Sequence, residues 1–303
     1  MITPTLIAVD WGSSSFRAFL LGQNGTVIAK TATDQGIFTI PDKAFEKTLL
    51  ANCGPWLDPH GKLPLIMGGM IGSRNGWLET PYQPCPVGAV DLANNLVSVP
   101  NTLGLEIKII PGVTGPSAFD GFDVMRGEEI QALGALATIG ANDAVLCLPG
   151  THSKWCSAED STISTLTTFL TGEMFSLISN QSSISSLISE TGHDQTSFEA
   201  GVACGNATSG LLNRLFSIRA DALLDKANYT CSSSYLSGLL IGNEISVMKQ
   251  HIENKNPVIL VGNQGLTKRY SSALAASEVS CQTIDGETAF LRGIYSIAET
   301  RKD

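Results

Sequence analysis

The sequence predicts an α/β fold with a duplicated plan, on two observations. Apolar runs of strand length alternate with helically spaced segments along the chain. A unit of strand, polar turn and strand also occurs twice, about half the chain apart, which suggests a repeat of topology. The 303 residues leave room for one large or two modest domains.

The first unit runs from the apolar stretch Leu6-Ile7-Ala8-Val9 through a small polar break to a second strand at Phe16–Leu21. Asn24-Gly25 is a strong hairpin signal, and Val27–Thr31 returns as a third strand. No helix follows the first turn. That excludes P-loop and Rossmann openings, both of which run strand–loop–helix. Pro64–Gly69 reads as a strand ended by paired glycines, Gly72–Trp77 as an exposed loop, and Ile107–Ile110 as a strand stopped by Pro111-Gly112. Gly115–Gly121 turns to Gly, Pro and Ser and is the candidate domain boundary; Arg126–Ala137 then has helical periodicity.

The second unit is a strand at Ala144–Leu148, a polar turn at Pro149–Lys154, and a strand beginning at Trp155-Cys156. A turn at Ala158–Ser161 and an alternating strand at Ile163–Leu170 follow, then a helix at Gly172–Ile178. The last third reads as helices at Gly210–Ala222, Tyr235–His251, Leu266–Ala276 and Gly286–Ala298, with strands at Pro257–Val261 and Val279–Thr283.

Composition narrows the function. With 19 Lys+Arg against 28 Asp+Glu the net charge is −9, which argues against a nucleic-acid partner. A charged fraction of 16% against 43% hydrophobic residues marks a folded chain and not a disordered one. Seven cysteines stand singly with no CxxC pair, so neither a disulfide framework nor a thiolate metal site is expected. The start lacks a basic secretory region, and no apolar stretch approaches the roughly 20 residues of a membrane helix. A soluble cytoplasmic protein is expected, with no membrane partner.

Five segments could carry chemistry. Asp10-Trp11-Gly12-Ser13-Ser14-Ser15-Phe16-Arg17 ends a strand in a carboxylate and a hydroxyl-rich turn, a nest suited to phosphate oxygens. Asp10 could hold hydrated Mg²⁺, which takes one or two carboxylates and keeps several waters. Its plain alternative is a capped turn. Gly150-Thr151-His152-Ser153-Lys154 offers close backbone approach, hydroxyl donors and a point charge, or again only a solvated turn. Two such turns in matching settings strengthen each other.

Gly262-Asn263 leads a strand into a helix and leaves bare backbone for a flat base or ribose. Gly238 and Gly242 would form its other wall, unless they serve only close helix packing. Asp123, Arg126, Glu128 and Glu129 gather at a helix start. Dipole complementation accounts for at least one of these acids, while another would be a general base: Glu128 first, with Asp123 and Glu129 as alternatives. Met70, Ser73, Arg74, Trp77 and Tyr82 form the fifth segment, in which Arg74 would fork onto a carboxylate and an aromatic ring pack on a sugar face. Only His152 among the histidines lies in a candidate site, so a transition-metal centre is not expected.

The segments IAVDWGSSSFR, GMIGSRNGW, DVMRGEE, LPGTHSKW, FLTGEMF, LFSIRA and SYLSGLLIGNE, in this order, resemble the 2-dehydro-3-deoxygalactonokinase family over nearly the full chain. That family lies in the sugar kinase/Hsp70/actin superfamily. The resemblance implies two ribonuclease-H-like lobes, an actin-like ATPase fold with an interdomain cleft. Residues 1–115 would form the first lobe, with the first phosphate turn and sugar-acid site. Residues 116–303 would form the second, with the other phosphate turn and the adenosine site, and helix 286–298 would pack back on the first.

The resemblance also implies ATP- and Mg²⁺-dependent phosphorylation of the terminal C6 hydroxyl of 2-dehydro-3-deoxy-D-galactonate in galactonate breakdown. Arg17 or Lys154 would offset charge, and Arg74, Arg126, Thr171 and Glu173 would join the substrate set. Ser13 departs from the threonine expected there but keeps the hydroxyl. Rival readings are a kinase of the epimeric gluconate-derived acid, an exopolyphosphatase-like hydrolase, and a nucleotide-dependent interaction module. A homo-oligomer is left open.

Overall fold

The computed structural model describes residues 2–188, 192–207, 210–252 and 257–300, and its strands fall into three sheets. The chain divides into two units. The first is Met1–Asp143 with Cys156–Thr167 and Gly286–Asp303, and the second is Ala144–Trp155 with Thr168–Asp285.

In the first unit β1 (Pro4–Trp11), β2 (Phe16–Gly22) and β3 (Val27–Thr33) form an antiparallel meander. Asn24 and Gly25 adopt positive φ at the tight β2–β3 turn, as the Asn-Gly pair predicts. Helix α1 (Phe45–His60) follows, then β4 (Leu65–Gly68), which lies parallel to β1. Next come β5 (Tyr82–Pro84), α2 (Ala89–Asn94), β6 (Val97–Ser98), β7 (Ile107–Ile109), β8 (Gly112–Pro116) and β9 (Phe122–Met125). Helix α3 (Glu128–Ile139) ends this run. The main sheet has the order β3-β2-β1-β4-β7-β6. Its core gathers Ile7, Val9, Trp11, Phe16 and Leu49, among others, all inaccessible to solvent.

The second half opens on β10 (Ala144–Leu148), β11 (Ser153–Glu159) and β12 (Thr162–Phe169). Helices α4 (Thr171–Gln181), α5 (Gln195–Asn206), α6 (Leu211–Leu223) and α7 (Ser232–Met248) come next. Then follow β13 (Val258–Gly262), α8 (Gln264–Ala276), β14 (Cys281–Asp285) and α9 (Gly286–Thr300). The five-stranded sheet has the order β12-β11-β10-β13-β14. In both sheets a three-strand run is extended beside its first member by two parallel strands, and the first sheet adds antiparallel β6 at its edge. This is the duplication the sequence implied.

Two sequence readings shift. Gly115–Gly121, read as a boundary, instead closes the β8–β9 hairpin, with β8 also paired to β5. The first unit accordingly runs on to Asp143, beyond the 115/116 division, while α9 belongs to it as the reading of helix 286–298 has it. The reason is close packing of α3 on α9: a Cβ on Gly134 would lie 1.8 Å from the Ala289 carbonyl oxygen, and one on Gly293 would lie 1.9 Å from that of Ile130. Helices α1 and α5 lack a clear sequence signature because breakers interrupt them, namely Gly54, Pro55 and Pro59 in α1, and Gly201 and Gly205 in α5.

The second unit repeats the device. On α7, a Cβ on Gly238 would lie 2.0 Å from the Phe198 carbonyl oxygen, and one on Gly242 would lie 2.6 Å from that of Val202. These glycines let α5 and α7 touch backbone to backbone and are not bare floor for a ligand. Gly238→Ala is expected to lower stability by about 1–3 kcal/mol through overpacking, measured by urea unfolding. An unchanged midpoint would remove the packing role.

Candidate active site

In the first unit, Asp10 is the penultimate residue of β1 and pairs with Gly68, the last residue of parallel strand β4, which Gly69 follows. Ligands of open α/β sheets gather at these carboxyl ends. Asp10 faces Arg17 across the β1–β2 ladder, and the two form an ion pair. Burial pushes the Asp10 carboxyl up, and the Arg17 guanidinium pulls it back. Arg17 Nε is buried with no hydrogen-bond partner among the described residues. The following turn is closed from within by Gly12 N–H donating to Ser15 O (2.9 Å) and braced from outside by Ile37 N–H donating to Gly12 O (3.0 Å). Ser13 is half-buried, and Ser14 and Ser15 are exposed at its tip.

Helix α3 begins against the same strand ends. Gly69 (φ 91°) and Gly127 (φ 107°) both hold conformations that L side chains rarely adopt. A Cβ on Gly127 would lie 3.1 Å from Gly69 Cα, and one on Gly69 would lie 2.9 Å from Trp11 O. The acidic helix start is thereby set beside Asp10. Its carboxylates differ in setting. Glu129 is wholly buried and accepts from Gly127 N–H at 2.7 and 2.9 Å. Burial, reinforced by the Glu128 charge, pushes its carboxyl up to about 8. Glu128 is half-buried and accepts from Arg126 N–H (3.1 Å), and Asp123 accepts from Val124 N–H (2.7 Å).

The expected sugar-acid residues divide. Met70 packs on the core, and Ser73 carries a buried hydroxyl with no partner among the described residues. Arg74 is exposed and has no hydrogen-bond or ion-pair partner among the described residues. Trp77, read as part of an exposed loop, is half-buried and stacks on Phe45 at 6.4 Å. Arg126 is committed elsewhere: its guanidinium donates to Thr80 Oγ1 and Thr80 O and lies 4.4 Å above the Tyr82 ring.

In the second unit the polar turn is shorter than the sequence suggested, because Ser153 and Lys154 already belong to β11. Lys154 is buried and donates to His152 O (3.1 Å), while His152 and Glu173 pair at 2.5 Å. Gly150 and Thr151 line a cavity of about 390 Å³, together with Thr171, Phe175, Ser237, Leu240, Asn263, Arg269 and Tyr270. The start of α4 presses on the turn: Glu173 N–H donates to Thr151 O (2.9 Å), and a Cβ on Gly172 would lie 2.5 Å from Gly150 O. Thr171 and Glu173, grouped by resemblance with the substrate residues, thus stand beside the second turn. Gly262 adjoins Pro149 O, and Asn263 caps α8 by accepting from Leu266 N–H (3.0 Å). Gly238 and Gly242 are absent from the cavity wall, which takes Ser237, Leu240 and Ile241 from another face of α7.

One residue escaped the sequence reading. Glu244 on α7 is 1% exposed and accepts four hydrogen bonds. Ser153 Oγ and Trp155 Nε1 donate to its Oε1, each at 2.7 Å, while Thr171 Oγ1 and Tyr270 OH (2.8 Å) donate to its Oε2. Burial pushes its carboxyl up against the pull of those donors. A hydroxyl has one proton, so Ser153 and Thr171 have none left for a ligand while they donate here. The available signal was Glu244 as the single charged residue of an otherwise uncharged 17-residue helix.

A family model described as 2-keto-3-deoxy-galactonokinase matches residues 10–297. The 2-dehydro-3-deoxygalactonokinase of Escherichia coli (strain K12) is 35% identical over 297 residues, covering 98% of each chain. A crystal structure of a putative 2-dehydro-3-deoxygalactonokinase from Sinorhizobium meliloti is 33% identical with a TM-score of 0.86, over 97% of this chain and 96% of that one. The activator of the 2-hydroxyisocaproyl-CoA dehydratase from Clostridium difficile, with bound ADPNP, is 12% identical with a TM-score of 0.52, over 100% and 96% of the two chains. That last likeness is one of fold, the actin-like ATPase fold.

The folded protein retains a proton on Glu129 that the unfolded chain releases above the ordinary value of 4.5. Stability from this group is therefore full below about 4.5 and is lost as pH rises toward about 8. Urea unfolding at pH 5, 6.5 and 8 is expected to show Glu129→Gln gaining on the parent protein as pH rises, by at most about 1.4 kcal/mol per pH unit. A pH-independent difference would show an ordinary carboxyl.

Proposed function

Because the chain belongs to the 2-keto-3-deoxy-galactonokinase family, we propose that it is an ATP-dependent kinase that phosphorylates the C6 hydroxyl of 2-dehydro-3-deoxy-D-galactonate. The match from residue 10 to 297 carries this reading, since it spans both units. The cavity of the second unit suits the nucleoside of ATP, with apolar walls from Phe175, Leu240 and Leu266 and polar groups at its edges. Backbone N–H groups of the Gly150–His152 turn are the donors for phosphate oxygens, together with the exposed Thr151 hydroxyl.

The first unit supplies the acids. Transfer forms a bond between the sugar hydroxyl oxygen and the γ-phosphorus and breaks the bond to the leaving ADP, and the hydroxyl proton needs an acceptor. Glu128 is the base of choice. Glu129 is sealed from solvent and, at about 8, is mostly protonated at neutral pH. Arg74, exposed and without a partner among the described residues, is the group to orient the substrate carboxylate.

Asp10 fits Mg²⁺ held through water. It offers one carboxylate at a strand end, and no group of three or more His, Cys, Asp or Glu among the described residues forms a closed metal cage. Mg²⁺ bound there would offset phosphate charge. Arg17, tied to Asp10, keeps that carboxylate in place. A cytoplasmic site of action agrees with ATP use and with seven free thiols.

Coupled ADP release with Mg-ATP should depend on 2-dehydro-3-deoxygalactonate and fall at least about tenfold with the gluconate-derived epimer. ADP release indifferent to the sugar acid would replace the kinase with a hydrolase. Asp10→Asn should cut kcat by about 100-fold or more with an unaltered circular dichroism spectrum; near-normal turnover would remove its role.

A further inference from the structure

A carboxylate buried without a cation is costly, and the chain concentrates four of its best donors on Glu244 to hold one there. The donors come from three elements: Ser153 and Trp155 from β11, Thr171 from the first residue of α4, and Tyr270 from α8. Ser153 directly follows the Gly150–His152 turn, and Thr171 and Tyr270 line the wall. Residues after Thr171 press on the turn itself, through Glu173 N–H to Thr151 O and the Gly172–Gly150 approach. Glu244 does not line the cavity. It reaches any occupant only through these neighbours.

We infer that Glu244 is the positioning residue of the nucleotide cavity, holding β11, α4 and α8 in register around the second phosphate turn and committing the protons of Ser153, Thr171 and Tyr270 inward. The inference rests on the reading of that cavity as the ATP site. Two consequences follow for a ligand. The turn presents its backbone N–H groups from a fixed frame, so little reorganisation is left for binding. The Thr171 and Tyr270 oxygens, with their protons spent, can only accept, so this part of the wall favours a ligand hydroxyl or amine over a phosphate oxygen. A ribose or an exocyclic amine meets that demand.

Glu244→Gln keeps the shape and removes the charge. Its amide would donate to Thr171 and Tyr270 and free their protons, changing the wall from acceptor to donor. In the parent protein, Mg-ATP should bind by calorimetry. In Glu244→Gln the KM for ATP should rise about tenfold or more while the KM for the sugar acid stays within about twofold and the melting temperature holds or rises. A purely structural Glu244 would instead move the melting temperature and leave the ATP KM of the folded enzyme unchanged, overturning the inference alone. Failure of the parent protein to bind Mg-ATP would overturn the cavity reading itself. Should Glu244→Gln not fold, Trp155→Phe removes one donor from Oε1 without touching the cavity wall. It should raise the ATP KM about threefold or more, and an unchanged value overturns the inference.

Discussion

Backbone contact without intervening side chains is the constraint on which the first unit's chemistry depends. Gly134 and Gly293 let α3 lie directly on α9, and Gly127 lets the start of α3 touch Gly69. Gly68 continues the line, since a Cβ there would lie 2.2 Å from Ile130 Cδ1. Remove that closeness at any point and the acidic start of α3 moves away from Asp10. The carboxylates are placed by what the neighbouring positions lack, and interiors this dense transmit even a methyl group's displacement.

The two units treat charge in opposite ways. At the end of β1, Asp10 has a cationic partner in Arg17 and remains partly open. Glu244 has no cation beside it among the described residues and is satisfied by neutral donors drawn from surrounding elements. The first arrangement leaves a group able to respond to a charged ligand. The second fixes a scaffold, because its four hydrogen bonds tie together three elements, β11, α4 and α8. Hydroxyls that looked like ligand donors in the sequence, Ser153 above all, turn out to belong to the scaffold.

Much of the plan was legible. Both meanders followed from apolar runs broken by small polar turns, and Asn24-Gly25 fixed one hairpin by local sterics alone. Asp10 and the Gly150–Thr151 turn were readable because each stands at the carboxyl end of a buried strand. The illegible parts depend on partners distant in sequence. Gly238 could be ligand floor or helix contact until Phe198 was seen against it. Arg126 reads as a substrate group until Thr80 and Tyr82 claim it. Glu244 needs four neighbours up to 91 residues away to acquire meaning, and no local pattern encodes them. Chain breakers hid α1 and α5 for the converse reason, since tertiary packing overrides weak local propensity.

The return of α9 to the first unit has a consequence for biosynthesis. About 150 residues separate the end of α3 from the start of α9, and translation at roughly 5–20 residues per second makes that a wait of roughly 8–30 s. During that interval the glycine face of α3 has emerged but its cover has not. The second unit is contiguous apart from one short excursion and can consolidate meanwhile. Vectorial synthesis therefore favours completion in reverse order, with the half made first becoming whole last.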